Sequence, residues 1–234
     1  MIVGITERGD AGIDFSWIER CDNTDFSILI TKCVHNEKFQ EEVMKHPRTI
    51  VHATITGMGC SLIEPNVGDW MHSVKGLRQL VDKIGQDRCV LRIDPIIPTV
   101  HHMKNVLKIL YHMMGYIKRV RFSFIDNYKH IKDRGMILDW NTFNPPLENI
   151  NYALDTLYTY KDIFEFESCA EDINVAWIQN IGCISEKDFK VFGIVPDSLE
   201  QGNQRKLCKC LACKTELLTN RKQCPNGCLY CYWK

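Results

Sequence analysis

The sequence has no excess of charge of either sign: 29 Lys and Arg stand against 29 Asp and Glu over 234 residues. No apolar run approaches the ~18 residues that a membrane span requires, and there is no internal repeat or low-complexity segment. The N-terminus, Met1-Ile-Val-Gly-Ile-Thr-Glu-Arg8, lacks the basic stretch and apolar core of a secretory signal. No Gly-x-Gly-x-x-Gly follows the first strand-like run, which removes the main argument for a dinucleotide-binding fold. With 45% hydrophobic and 25% charged residues the composition is globular and argues against disorder or a fibre. A cytoplasmic protein that does not enter the membrane is expected.

Cysteine, by contrast, is plentiful. Twelve in 234 residues fall short of a disulfide scaffold, and a reducing compartment keeps most of them as thiols. Six of them, Cys208, Cys210, Cys213, Cys224, Cys228 and Cys231, lie in the last 27 residues. Clustered thiols of this kind read as metal ligands before disulfides. The same region breaks the charge balance. From Gln204 to Lys234 seven Lys and Arg face one acid, Glu216, so this tail carries +6 and residues 1–203 carry −6. A basic tail can attract nucleic acid or another anion. It can equally consist of solvated lysines that compensate metal-bound thiolates.

Upstream, β-rich runs alternate with helical ones. Strands are predicted at Ile2–Thr6, Phe26–Thr31, Thr49–Thr56, Cys89–Ile93, Arg119–Ile125 and Ile163–Glu167. Helices are predicted between them, around Asp14–Cys21, Glu37–Lys45, Trp70–Ile84, Thr99–Met114 and Pro145–Tyr160. Six β-then-α units imply a parallel sheet with right-handed crossovers. Polar residues gather at the strand ends, where barrels build their chemistry. The expectation is an α/β fold, a partial (β/α)6 TIM-like barrel over residues 1–195. After Cys169 the alternation fades. One short helix is expected at 184–193, then a linker into a cysteine-rich tail, 196–234, packing on the barrel mouth.

Cys224-Pro-Asn-Gly-Cys228-Leu-Tyr-Cys231 has the spacing C-x3-C-x2-C. Three thiolates on one tight loop suit three corners of an iron–sulfur cube and leave one iron open. Gly227 lets the backbone bend close to it. With Tyr230 before the last cysteine, the motif resembles the signature of the radical S-adenosylmethionine (SAM) superfamily. There the open iron binds the amino and carboxylate groups of SAM, and the aromatic residue contacts the adenine. That signature normally follows the first barrel strand, whereas here it stands at residues 224–231. The placement resembles a narrower group, a widespread uncharacterised family, a domain of unknown function, with a radical-SAM-type cluster at its C-terminus. Matching segments run along nearly the whole chain: Arg8-Gly-Asp10, Thr31-Lys32, Thr56-Gly-Met-Gly59, Ile63-Glu64-Pro65, Arg92-Ile-Asp94-Pro95, Ser123-Phe-Ile-Asp126-Asn-Tyr128, Cys169-Ala-Glu171, Cys183-Ile184, Gln204-Arg205 and Cys208-x-Cys210. Spore photoproduct lyase is a more distant analogue in fold and chemistry.

The resemblance implies two [4Fe-4S] clusters. Cys224, Cys228 and Cys231 would hold the SAM-binding one, and Cys169, Cys183, Cys208 and Cys210, with Cys213 as an extra candidate, an auxiliary one. It also implies a flavodoxin- or ferredoxin-type reductant. Tyr230, Gly57, Gly59 and Ser123 would approach SAM. Arg8, Asp10, Arg92, Asp94 and Asp126 are the candidate catalytic residues lining the cavity, where they would act on an anionic or nucleic-acid substrate.

Other readings of the residues stay open. Cys210-x2-Cys213 and Cys228-x2-Cys231 approximate a zinc-ribbon spacing, which would make the protein a non-catalytic nucleic-acid-binding module. Iron–sulfur centres without SAM would make it a redox or structural protein. Cys21, Cys33, Cys60 and Cys89 read as small packing residues. His101 and His102 read as solvent-facing or capping. Lys118, Arg119, Arg121, Lys129, Lys132 and Arg134 form a basic stretch that ordinarily marks a solvated face.

Overall fold

The computed structural model describes residues 1–126, 145–202, 207–220 and 224–231. Among these residues all the strands belong to one eight-stranded sheet in which every neighbouring pair is parallel. The strands are β1 (Val3–Ile5), β2 (Phe26–Thr31), β3 (Thr49–Thr54), β4 (Cys89–Ile96), β5 (Arg119–Phe124), β6 (Glu165–Ser168), β7 (Ile178–Asn180) and β8 (Lys214–Glu216). They lie in the order β7-β6-β5-β4-β3-β2-β1-β8, sequential apart from β8 beside β1.

The helices are α1 (Ile18–Cys21), α2 (Glu37–Lys45), α3 (Trp70–Ile84), α4 (Val100–Met113), α5 (Leu147–Tyr158) and α6 (Glu186–Val191). Their starts follow from capping side chains that satisfy otherwise orphaned N–H groups. Asn36 accepts from Phe39 N, Asp69 from Met71 N and Thr99 from His102 N. Ser185 and Asp188 form a reciprocal capping box on α6.

The six predicted strands and the five helices between them are present, with the first helix shortened to Ile18–Cys21, and β6 is followed by β7 before α6. The sheet has two further strands, β7 and β8, and β8 comes from the segment expected to form the cysteine-rich tail. Each is only three residues long, and Lys214-Thr-Glu216 is polar throughout, so neither shows the pattern by which strands are recognised.

One face of the sheet carries Leu29, Val51, Leu91 and Phe122, packed with Phe39, Leu77, Leu110 and Leu157 from α2–α5. The opposite face carries Val3, Ile5, Phe26, Ile28, Ile50 and Val90, where Phe189 of α6 packs. Phe26 and Phe189 meet edge-on at 4.9 Å. On β5 and β6 this second face turns from apolar to charged. Arg119 Nε donates to Glu167 Oε1 at 2.9 Å, Arg119 Nη2 to Asp188 Oδ1 at 2.8 Å and Arg121 Nη2 to Glu167 Oε2 at 2.7 Å. All four side chains are buried. Burial raises the Glu167 carboxyl, but Arg121 and Arg119 outweigh it and bring the group down to about 2. Arg119 and Arg121 therefore do not form the solvated face expected of them; only Lys118 of that pair of turns is exposed. Lys129, Lys132 and Arg134 lie outside the described residues.

A candidate cavity with two thiol clusters

Because all strands are parallel, their C-terminal ends share one edge of the sheet, the edge where α/β proteins bind ligands. A cavity of about 710 Å³ opens there. Arg8, Asp10, Arg92, Asp94, Ser123 and Asp126 line it; Arg92 lies at the middle of β4, Asp94 and Ser123 lie in the C-terminal halves of β4 and β5, and the others follow β1 and β5. So do Tyr230 and seven cysteines: Cys169, Cys183, Cys208, Cys210, Cys224, Cys228 and Cys231. Gly57, Gly59 and Cys213 do not line it.

Cys224, Cys228 and Cys231 sit on a tight loop. Gly227 adopts φ +62°, and Cys231 N donates to Cys228 O at 3.2 Å. Loops after the first three strands hold this segment. Asn226 Nδ2 donates to Asp10 Oδ2 at 2.7 Å, Asn66 Nδ2 to Pro225 O at 2.8 Å and Leu229 N to Ile63 O at 2.9 Å. The Tyr230 hydroxyl bonds to Glu64. Glu64 Oε1 also accepts from Lys32 Nζ and Thr56 Oγ1, both at 2.8 Å. Burial works against its ionisation, yet Lys32 together with the Tyr230 and Thr56 hydrogen bonds outweighs it, and its carboxyl is held below the usual range. Burial, Glu64 and Cys228 together push the Tyr230 phenol well upward. Burial also pushes the Cys228 thiol up to about 12, with Lys32 opposing it.

Asp10 is the hub of this arrangement. Its Oδ1 accepts from Thr31 Oγ1 and Gly12 N, and its Oδ2 from Lys32 N and Asn226 Nδ2. A carboxylate with four donors has no spare lone pair for acid–base work. The structure thus assigns Asp10 a positioning role in addition to its place on the cavity wall. Asp94 is likewise engaged, by Arg92 and by Ser123 Oγ.

The second thiol group joins three parts of the chain: Cys169 after β6, Cys183 after β7, and Cys208 and Cys210 ahead of β8. The Sγ atoms of Cys169 and Cys183 are 3.5 Å apart, and Cys183 N donates to Cys210 Sγ at 3.1 Å. The ligand atoms of Cys183 and Cys210 lie within 4.8 Å of one another. The thiols of Cys169 and Cys210, with help from Arg92 and Arg121, hold the Cys183 thiol well below its ordinary range despite its burial. Gly182 makes the approach feasible, since a Cβ there would stand 2.4 Å from Cys210 Cα. A carboxylate oxygen of Glu7 lies within 4.8 Å of both Cys183 Sγ and Cys210 Sγ. Lys214 Nζ pairs with the same Glu7 at 2.6 Å.

Several candidates have structural duties away from the wall. Gly57 adopts φ +80° against Asn105, whose side chain donates to Gly57 O at 3.0 Å. A Cβ on Gly59 would meet Gly68 O at 2.0 Å. Cys213 O accepts from Val3 N at 2.8 Å, where β8 joins β1. His102 is buried, contrary to the solvent-facing reading, and its ring bonds the backbone of Ile97 and Thr56. Of the four packing cysteines, Cys21 and Cys89 are buried, Cys33 is half-buried and Cys60 is exposed. Sequence reasoning assigned no role to Glu7 or Asn226. Asn226 sits inside the quoted cysteine motif, which was the one available signal.

A family model described as Domain of unknown function (DUF1848) matches residues 19–233. The chain belongs to that family. The family span takes in both thiol clusters and leaves out β1 with Arg8 and Asp10. No curated protein and no solved structure matches the chain. Among the described residues no helix is long and apolar enough to cross a membrane.

Proposed function

We propose that the protein is an iron–sulfur enzyme of the radical SAM type, with its reactive centre at Cys224, Cys228 and Cys231. One observation carries the reading: a three-thiol loop with Gly227 in a left-handed turn lines the same large cavity as polar strand-end residues. The donor set fits the group. Three thiolates from one tight loop suit a cluster with one open iron, and the nearby Lys32 ammonium offsets thiolate charge. When bound, such a cluster together with SAM supplies a 5′-deoxyadenosyl radical for hydrogen abstraction. The chain's own residues do the rest. Asp10 and Glu64 hold the cysteine loop in register, Tyr230 lends a ring to the wall, and Arg8, Arg92 and Asp126 face the substrate space. Cys169, Cys183, Cys208 and Cys210 form a second, closed metal site. The electron donor is a flavodoxin- or ferredoxin-type protein, and the basic tail favours an anionic substrate.

We propose further that the sheet closes toward a barrel. Among the described residues five helices cover one face only, yet the other face is buried with α6 as its one helix. Leu211 N reaches Ile184 O at 3.4 Å, so the segments flanking β7 and β8 meet although those strands do not pair. A sheet that curls on itself accounts for both facts.

Anaerobic reconstitution with iron and sulfide, followed by SAM and dithionite, should yield 5′-deoxyadenosine, and Cys228→Ala should not. A colourless protein holding zinc alone, or product from the Cys228→Ala variant, overturns the reading.

A further inference from the structure

We propose that Cys169, Cys183, Cys208 and Cys210 hold one tetrahedral metal ion, zinc or iron, with no bridging sulfide, rather than a second cubane cluster. The spacing of the thiols carries this assignment. Four thiolates bonded at 2.3 Å to a single tetrahedral ion stand about 3.8 Å apart. A four-iron cube holds its thiolates on outward bonds from separate corners, which sets neighbouring ligand sulfurs roughly 6 Å apart. Cys169 and Cys183 are 3.5 Å apart, and Cys183 and Cys210 no more than 4.8 Å. These two spacings are closer to those of a mononuclear site than to those of a cube.

Two further features agree. The backbone itself is closed at this point, because Gly182 lies against Cys210 with no room for even a methyl group. Cys183 and Cys210 cannot spread apart to admit a larger cluster without separating those two segments. The surroundings also suit four thiolates on a divalent ion, a unit carrying two negative charges. Arg121 is fully buried and donates from Nη1 to Cys183 O at 2.9 Å. Arg92 lines the same wall as Cys169 and Cys183. Each guanidinium also pairs with a carboxylate, Arg121 with Glu167 and Arg92 with Asp94, so they favour the thiolates locally without neutralising the whole unit. The Cys183 N–H donated to Cys210 Sγ is the kind of outer bond that supports a ligating thiolate. Four protein ligands leave no open position, so this ion has a structural role if it is zinc and can also relay electrons if it is iron, separate from any chemistry at the loop.

The inference does not depend on the loop being a SAM site, and its test is separable. In anaerobically purified protein with Cys224, Cys228 and Cys231 all changed to Ala, metals and acid-labile sulfide are counted per chain. The expected result is about one zinc or iron and no sulfide. Exchange with cobalt(II) should give the visible bands of a tetrahedral thiolate site, lost in Cys183→Ser. The element found distinguishes zinc from iron. Four irons with four sulfides in that variant overturn the proposal, as does the absence of bound metal or a Cys169–Cys183 disulfide. Reconstituted unaltered protein is the second arm and covers failure of the variant to fold. One ion beyond the sulfide-matched iron supports the proposal, and two complete cubes overturn it. Failure to form 5′-deoxyadenosine would count against the loop assignment alone.

Discussion

Removing the Asp10 carboxylate should loosen the cysteine loop from a distance of 216 residues along the chain. Asp10 accepts four hydrogen bonds, three of them from loops near β1 and β2 and one from Asn226 at 2.7 Å. Bonds to a charged group contribute about 1.5–3 kcal/mol each, with large overlap between them. Asp10→Ala should therefore cost about 3–5 kcal/mol, because it also strands buried backbone donors. In a chain of this size that is a fall in Tm of roughly 10 °C. Asn226→Ala leaves the other three bonds intact and should cost only about 1.5–3 kcal/mol. The two changes share one bond, so a double-mutant cycle should return a coupling of about 1.5–3 kcal/mol. Anaerobic urea denaturation of the metal-free protein at neutral pH measures it, with iron retention by the loop as a second readout. Asp10→Asn keeps the shape but aims an amide NH2 at Lys32 N and Asn226, so it should behave like the Ala variant. Additivity of Asp10→Ala and Asn226→Ala within about 0.5 kcal/mol would refute the clamp.

Other consequences follow from the same contacts. Gly182→Ala should release metal from the four-thiol site while the loop keeps its iron, since the new Cβ would meet Cys210 backbone atoms at 2.4 Å; metal stoichiometry checks this, and full retention counts against it. Glu167 has its carboxyl lowered from 4.5 to about 2 because Arg121 and Arg119 outweigh burial. That shift corresponds to about 3 kcal/mol of stability, fully present above pH ~4.5 and lost as the pH falls from there toward ~2. Glu167→Gln should remove this acid sensitivity and cost about 3–5 kcal/mol at neutral pH by leaving the buried Arg121 guanidinium without its carboxylate, while Arg119 keeps Asp188; acid and neutral denaturation series compare the two proteins. Gly227→Ala, forced to φ +62°, should cost about 1–2 kcal/mol and speed loss of loop iron, followed by melting and by bleaching of the cluster absorbance.

The helices and the longer strands were legible because each carries a periodicity and a stop signal. Trp70–Ile84 combines an apolar stripe with Asp69 before it and Gly85 after it, and the structure reproduces both ends. β7 and β8 were not legible, because three-residue strands such as Lys214-Thr-Glu216 exist through their neighbours and have no pattern of their own. Strand-end polarity identified much of the cavity wall, from Arg8 to Asp126. The buried charges were hidden. Arg119 and Arg121 alternate with Val120 and Phe122 as a half-exposed strand would, and only Glu167 and Asp188, 46 or more residues away, make their burial tolerable. In the Gly-Met-Gly segment a structural demand is visible: its glycines serve backbone crossings against Asn105 and Gly68, and such a demand leaves the same mark in sequence as a ligand loop.

The contact between Gly182 and Cys210 has a consequence for solubility. β7 and β8 are the two outer strands of the sheet, and an outer strand offers unpaired N–H and C=O groups to any passing chain. Residues 182–184 and 210–211 bring these two edges against each other through a thiol contact and a single backbone bond rather than through a ladder. Each edge thereby shields the other, and the shield is fastened by sulfur. Oxidation or loss of those thiols would uncover both edges together, so thiol damage at the cavity should first be seen as self-association of otherwise folded molecules.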